Sequence, residues 1–133
     1  TRAAMEWSQQ FDSYCERTDL TYWSEPVNAV TNAAFLLAAF IMWRRLRGEN
    51  LPIATLLVVI LTAIGIGSYL FHTHATVWAV TADVVPLGLF ILLYLIAVGL
   101  HFLRWPLRAA LVLTAAFARR LWRARTGPRP GGC

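Results

Sequence analysis

Residues 51–71 read LPIATLLVVILTAIGIGSYLF, a run without a single charged side chain. At about 1.5 Å of rise per residue such a run extends roughly 30 Å as a helix, the thickness of a bilayer's hydrocarbon core. A helix on the surface of a soluble domain would need a polar face, and this stretch offers none. Two similar blocks flank it. Residues 26–43, PVNAVTNAAFLLAAFIMW, are uncharged, and residues 83–103 carry only Asp83 at their start. Pro26, Pro52 and Pro86 each stand at the beginning of a block, where a helix's first turn tolerates a missing N–H. The expected fold is an all-α membrane protein with three transmembrane helices at about 26–43, 51–71 and 83–103. The mildly polar segment 72–82 connects the last two. A fourth apolar segment, 107–118, is too short to span.

Composition supports the same class. Hydrophobic residues make up 58% of the 133-residue chain and charged ones 14%, where a soluble domain carries about 25% charged residues. The net charge is +5, and all twelve basic residues are arginine. They cluster at the ends of apolar blocks and form no basic stripe, so nucleic-acid binding is not expected. Cys15 and Cys133 are too few for a disulfide framework, and residues 1–25 lack the basic start and short apolar run of a signal peptide. The chain divides into an acidic segment 1–25, a helical membrane domain 26–118 and an Arg/Pro/Gly-rich tail 119–133. Short cytoplasmic loops collect arginine, which places Arg44, Arg45, Arg47, Arg104 and Arg108 inside. The N-terminus, His72 and His74 are then outside the cytoplasm, and the 107–118 segment lies in the inner interface.

With this orientation three groups meet at the outer face. Ser68 and His72, four residues apart, share one side of a helix, and an ionisable group at membrane depth is a functional candidate. His72 could equally be a histidine that ends a helix and meets water. Asp83 is the only acidic residue after Glu49; as Asp before an apolar run it reads as an N-cap, with which a functional role can coexist. Asp12, Glu16, Asp19 and Glu25 form a dense carboxylate group, either a solvated acidic segment or an oxygen-rich site suited to calcium. His101 lies roughly 25 Å away by helix rise and reads as interfacial. Asn28, Thr31 and Asn32 make a polar stripe suited to hydrogen bonding across a helix–helix interface.

Two strings, YCERTDLTYWSEPVNAVTN at 14–32 and GIGSYLFHTHATVWAVTADVVP at 65–86, resemble the alkaline ceramidase family. That family belongs to a wider group of intramembrane hydrolases that includes the adiponectin and progestin receptors, and the likeness is greatest to its bacterial members. The motifs are Cys15-Glu16, the E-x-x-N-x-x-T-N run from Glu25 to Asn32, the G-x-G-S-x-x-F-H run from Gly65 to His72, and D-x-x-P from Asp83 to Pro86. The resemblance implies a multi-pass protein of a bacterial inner membrane, with a seven-helix fold and a zinc ion held by three histidines. His72 matches the first of these. It further implies that Ser68 and Asp83 flank the metal and that Asp12, Glu16, Asp19 and Glu25 bind calcium. The implied reaction is hydrolysis of a lipid amide in the bilayer, ceramide to sphingoid base and fatty acid. The chain departs from the pattern in one respect: no H-x-x-x-H motif follows residue 86. Nor can 133 residues hold seven helices of about 20 residues with their loops. It therefore reads as the N-terminal half of such a protein. The alternatives are a non-catalytic helical subunit that associates with other helices through the Asn28–Asn32 stripe and, more weakly, a small transporter.

Overall fold

The computed structural model describes residues 6–10, 17, 19 and 21–126. These residues are helical, with no sheet among them; a single isolated bridge pairs Gln10 with Thr76. The helices are α1 (Pro26–Thr31), α2 (Ala33–Leu46), α3 (Pro52–His74), α4 (Val77–Ala97) and α5 (Leu107–Thr126), with a π-helical turn at Val98–Phe102. Three segments are long and apolar enough to cross a membrane: Pro26–Leu46, Pro52–His74 and Val77–Phe102. The protein is therefore a multi-pass membrane protein by the length and composition of its helices. Two compact units, residues 1–89 and 90–133, make up the chain.

In the first unit, α1 and α2 run on as one span because Asn32 between them keeps helical dihedrals. Pro26 and Pro52 occupy the first turns of α1 and α3. The helices run past the apolar blocks that announced them, to Leu46 and to His74. Arginine is a good helix former, so the charges at Arg44 and Arg45 mark the membrane edge and not the helix end.

The connection between α3 and α4 differs most from the sequence reading. It is not the eleven-residue segment 72–82 expected before a helix beginning at Asp83. The α3 helix stops at Ala75, which takes a left-handed conformation (φ 47°) and donates its N–H to Phe71 O at 2.8 Å. The chain turns at Thr76, and α4 begins at Val77. Asp83 therefore lies inside α4 and is not its N-cap. The leader braces this tight turn: Val77 N–H donates to Gln9 O at 3.1 Å. With its amide oriented to suit its neighbours, Gln10 donates to Ala75 O at 3.2 Å and His74 O at 3.3 Å. These last carbonyls of α3 would otherwise lack intrahelical partners.

Pro86 is inside α4. Having no N–H, it leaves the carbonyl four residues earlier, that of Ala82, without its helical bond. Gly67 of α3 lies directly against this carbonyl, so close that a Cβ at Gly67 would overlap it and would stand 3.1 Å from the Asp83 nitrogen. The bare Cα of Gly67 lets the two backbones touch beside Ser68 and Asp83. A Cβ at Gly65 would instead meet the side chain of Leu36, at 2.8 Å.

The polar stripe of the first span divides. Thr31 donates to Val27 O (2.8 Å) and Asn28 O (3.1 Å) in its own helix and faces outward. Asn32 is buried against α3, with its Nδ2 unpartnered. Outward faces carry large apolar side chains, among them Leu37, Phe40, Val59 and Ile66, as lipid contact requires.

In the second unit the π turn packs Gly99 against Ala110 of α5. Leu103 N–H donates to Val98 O and Trp105 N–H to Gly99 O. The α5 helix extends to Thr126, beyond the expected 118, and takes in Arg119, Arg120, Arg123 and Arg125. It is not one of the three membrane-crossing segments.

The Gly67 contact is testable by thermal unfolding in detergent. Gly67→Ala drives a methyl into a backbone carbonyl and is expected to cost about 1–3 kcal/mol. Gly88→Ala, with nothing within 4 Å of the new Cβ, is expected to stabilise by up to about 1 kcal/mol through helix propensity alone.

Candidate functional site

The site is built where the start of α1, the end of α3 and the first half of α4 meet the leader. Its centre is Glu25, the residue before Pro26, which is 1% exposed and is the largest fully buried side chain among the described residues. A buried carboxylate needs partners on both oxygens, and Glu25 has them. Arg17 Nε donates to Oε1 at 2.7 Å, and His72 Nδ1 lies 2.5 Å from Oε2. Toward an ionised carboxylate, which only accepts, Nδ1 acts as the donor, and a neutral ring in that tautomer would keep its lone pair on Nε2.

Arg17 does more than pair with Glu25. Its Nη2 donates to the backbone oxygen of His72 at 3.2 Å and its Nη1 to that of Asp19 at 3.4 Å. One guanidinium thus joins the leader, the start of the first span and the last turn of α3, where a carbonyl needs a donor. The Arg17 and Glu25 side chains are each 2% exposed.

One turn before His72, Ser68 is also buried. The Gly67–Ala82 contact sets Asp83 of α4 beside this face of α3, near Ser68 and His72. Ser68, His72 and Asp83 therefore lie together, with Glu25 behind the imidazole. The i, i+4 spacing puts the serine and histidine on one face, and the Gly67–Ala82 contact brings Asp83 to them.

The other ionisable residues stand apart in role. His74 is exposed, accepts or donates a 3.0 Å bond with Thr73 Oγ1, and has the rings of Tyr22 and Trp78 each 5.6 Å away. Tyr22 and Tyr69 share a 2.8 Å hydroxyl bond nearby. Together with exposed Trp23, these rings form an aromatic girdle of the kind found at a membrane–water interface. His101 is exposed in the π turn. Of the four carboxylates assigned to calcium, Asp12 and Glu16 lie outside the described residues. Asp19 is exposed and accepts from the Thr21 N–H (2.9 Å) and hydroxyl (2.6 Å). Among the described residues, no group of three or more His, Cys, Asp or Glu side chains is placed to hold a metal.

The residue that sequence reasoning missed is Arg17. Its local sequence carries no signal of this role, since Arg2 stands in the same acidic segment.

The hydroxyl and amide of Thr21, with Arg17 nearby, hold the Asp19 carboxyl below the usual carboxylate range. A depressed carboxylate stabilises above its unfolded pKa and loses that contribution as pH falls through its folded one. Protection of the Thr21 amide against hydrogen exchange is therefore expected to persist at neutral pH and to fall only below the ordinary aspartate range. Asp19→Asn is expected to remove that dependence.

No curated protein and no solved structure matches the chain. A family model does: the one described as Ceramidase matches residues 12–122, which includes the second half of the leader, all three spans and most of α5. Over that length the chain belongs to the ceramidase family.

Proposed function

We propose that this chain carries the serine–histidine–aspartate part of a metal-dependent hydrolase centre that cleaves the amide bond of a ceramide-like lipid within the bilayer. The observation that carries this reading is the meeting of Ser68, His72 and Asp83, with Glu25 fixing the imidazole from behind. A carboxylate bonded to one ring nitrogen is the arrangement that orients metal-ligating histidines. His72 thus suits one position of a zinc site. Catalytic zinc takes three protein ligands and a water, so a complete centre needs two ligands beyond those the described residues supply. When bound there, zinc would lower the pKa of a water toward neutrality.

The roles of the chain's own groups follow from their chemistry. The Ser68 hydroxyl donates a hydrogen bond to the carbonyl oxygen of the amide as negative charge develops on it. Asp83 takes a proton from the attacking water and delivers it to the departing nitrogen, as a general base and then a general acid. Glu25 holds His72 in one tautomer. A long-chain amide suits the site because both acyl chain and scissile bond reach it from the lipid, past the apolar faces of the first three spans. The arginine pattern supports a site on the non-cytoplasmic side, and the family resemblance favours a bacterial inner membrane. Calcium at the acidic leader belongs to the same family reading, through Asp12, Glu16, Asp19 and Glu25.

A second reading is a helical subunit without catalysis. It would pair with other helices through the Asn28–Asn32 stripe, where the buried Asn32 Nδ2 has no hydrogen-bond partner. Stoichiometric zinc in the purified protein supports the hydrolase, and its absence supports the subunit.

The direct test is hydrolysis of a long-chain fluorescent ceramide by the chain in lipid nanodiscs, with zinc or with a chelator. Zinc-dependent release of fatty acid is expected once two further ligands complete the zinc site. Ser68→Ala and Asp83→Asn should each lower kcat by about 100-fold or more, and His72→Ala should abolish the zinc dependence. Hydrolysis that survives His72→Ala unchanged removes this site assignment.

A further inference from the structure

The family resemblance makes Glu25 a calcium ligand, and its surroundings do not suit one. Calcium takes six to eight oxygen ligands at about 2.3–2.6 Å. Both oxygens of Glu25 are already engaged, one by the Arg17 guanidinium at 2.7 Å and one by the His72 imidazole at 2.5 Å. All three side chains are buried. A divalent ion bound to Glu25 would sit against a fixed positive charge in a site with little water to screen it, where like charges repel most strongly.

We propose that Arg17 is the resident cation of the Glu25–His72 centre: its guanidinium, not a calcium ion, neutralises Glu25 and sets the position of His72. Three features carry this. The guanidinium uses Nε, Nη1 and Nη2 on three different acceptors, Glu25 Oε1, Asp19 O and His72 O. That fork is rigid and always charged, which suits a buried ion pair. It also grips the histidine twice, through the backbone oxygen directly and through the ring by way of Glu25. Arg17 is thus a positioning residue, and calcium, where the leader binds it, is bound without Glu25. The importance of His72's position rests on the hydrolase reading; the identity of the cation at Glu25 does not.

The test uses the full chain in nanodiscs and reads thermal unfolding in millimolar calcium chloride and in excess chelator. The shift in Tm produced by calcium, whatever Asp12 and Glu16 contribute to it, should be the same in the wild type and in Glu25→Gln. A shift present in the wild type and lost in Glu25→Gln overturns the proposal. Arg17→Ala should lower Tm and gain a calcium-dependent rise larger than any the wild type shows, because the bare carboxylate now accepts an ion. The double variant Arg17→Ala/Glu25→Gln should lose that gain and recover part of the Tm. Should Arg17→Ala fail to fold, the comparison of wild type with Glu25→Gln still decides, and Arg17→Lys should fold with an intermediate Tm and no calcium gain. The positioning role is read from the ring 15N resonances of His72, which should move in Arg17→Ala, or in Arg17→Lys if only that variant folds, well below unfolding. Unchanged resonances would refute it. Lipid hydrolysis measured in parallel with the zinc site completed separates the two readings: if the calcium and Tm results hold while no amide is cleaved, the hydrolase reading fails and the assignment of Arg17 stands.

Discussion

A buried carboxylate between a guanidinium and an imidazole is the constraint on which the first unit depends. Glu25 stands at the mouth of the first span with almost no exposure, and an unpaired charge there would be untenable. Removing one partner of such a pair typically costs about 3–5 kcal/mol, because the remaining charge stays buried. Satisfying Glu25 requires that the leader fold back over the helix ends and that the last turn of α3 present His72 to it. Leader, first span and third helix are thereby tied at one point. Burying two charges is a poor way to gain stability, since well-packed apolar groups do as well or better. Its value lies in geometry: the arrangement leaves His72 one tautomer and one orientation.

The second constraint is steric. Pro86 strips the Ala82 carbonyl of its helical partner, and Gly67 offers the one surface, a Cα without a side chain, that can approach it. A weak Cα–H···O contact is a modest gain, but in a dry environment a backbone carbonyl must face something. The outcome for function is proximity. Because the contact lies at Gly67 and Ala82, the next residues along, Ser68 and Asp83, are brought together. Local backbone chemistry in two helices thus places a hydroxyl and a carboxylate beside the imidazole held by Glu25.

Much of this was legible from the residues. Charge-free runs marked three spans because lipid tolerates no alternative, and the four-residue interval of Ser68 and His72 marked a shared face. Helix ends were less legible. Apolar runs stop where charges begin, whereas α2 and α5 continue through their arginines. The polar string after His72 looked like a loop because Thr73, Thr76 and Thr81 interrupt it. In fact Thr73 and Thr81 bond to carbonyls of their own helices, which allows a turn of only two residues, Ala75 and Thr76. Asp83 looked like a cap for the same reason. Arg17 could not be read at all, because its importance comes from a fold-back that brings it to a residue eight positions on and to another fifty-five positions on, and no local pattern encodes that.

The most direct measurement is the distance between the His72 ring and the Glu25 carboxyl in the membrane-embedded protein. Solid-state NMR dipolar dephasing between 15N-labelled histidine and 13C-labelled glutamate carboxyls reports it without any assay of activity. The account predicts strong dephasing of one protonated Nδ1 signal, lost in Glu25→Gln. An Nδ1 signal for His72 that shows no coupling to any glutamate carboxyl would contradict it.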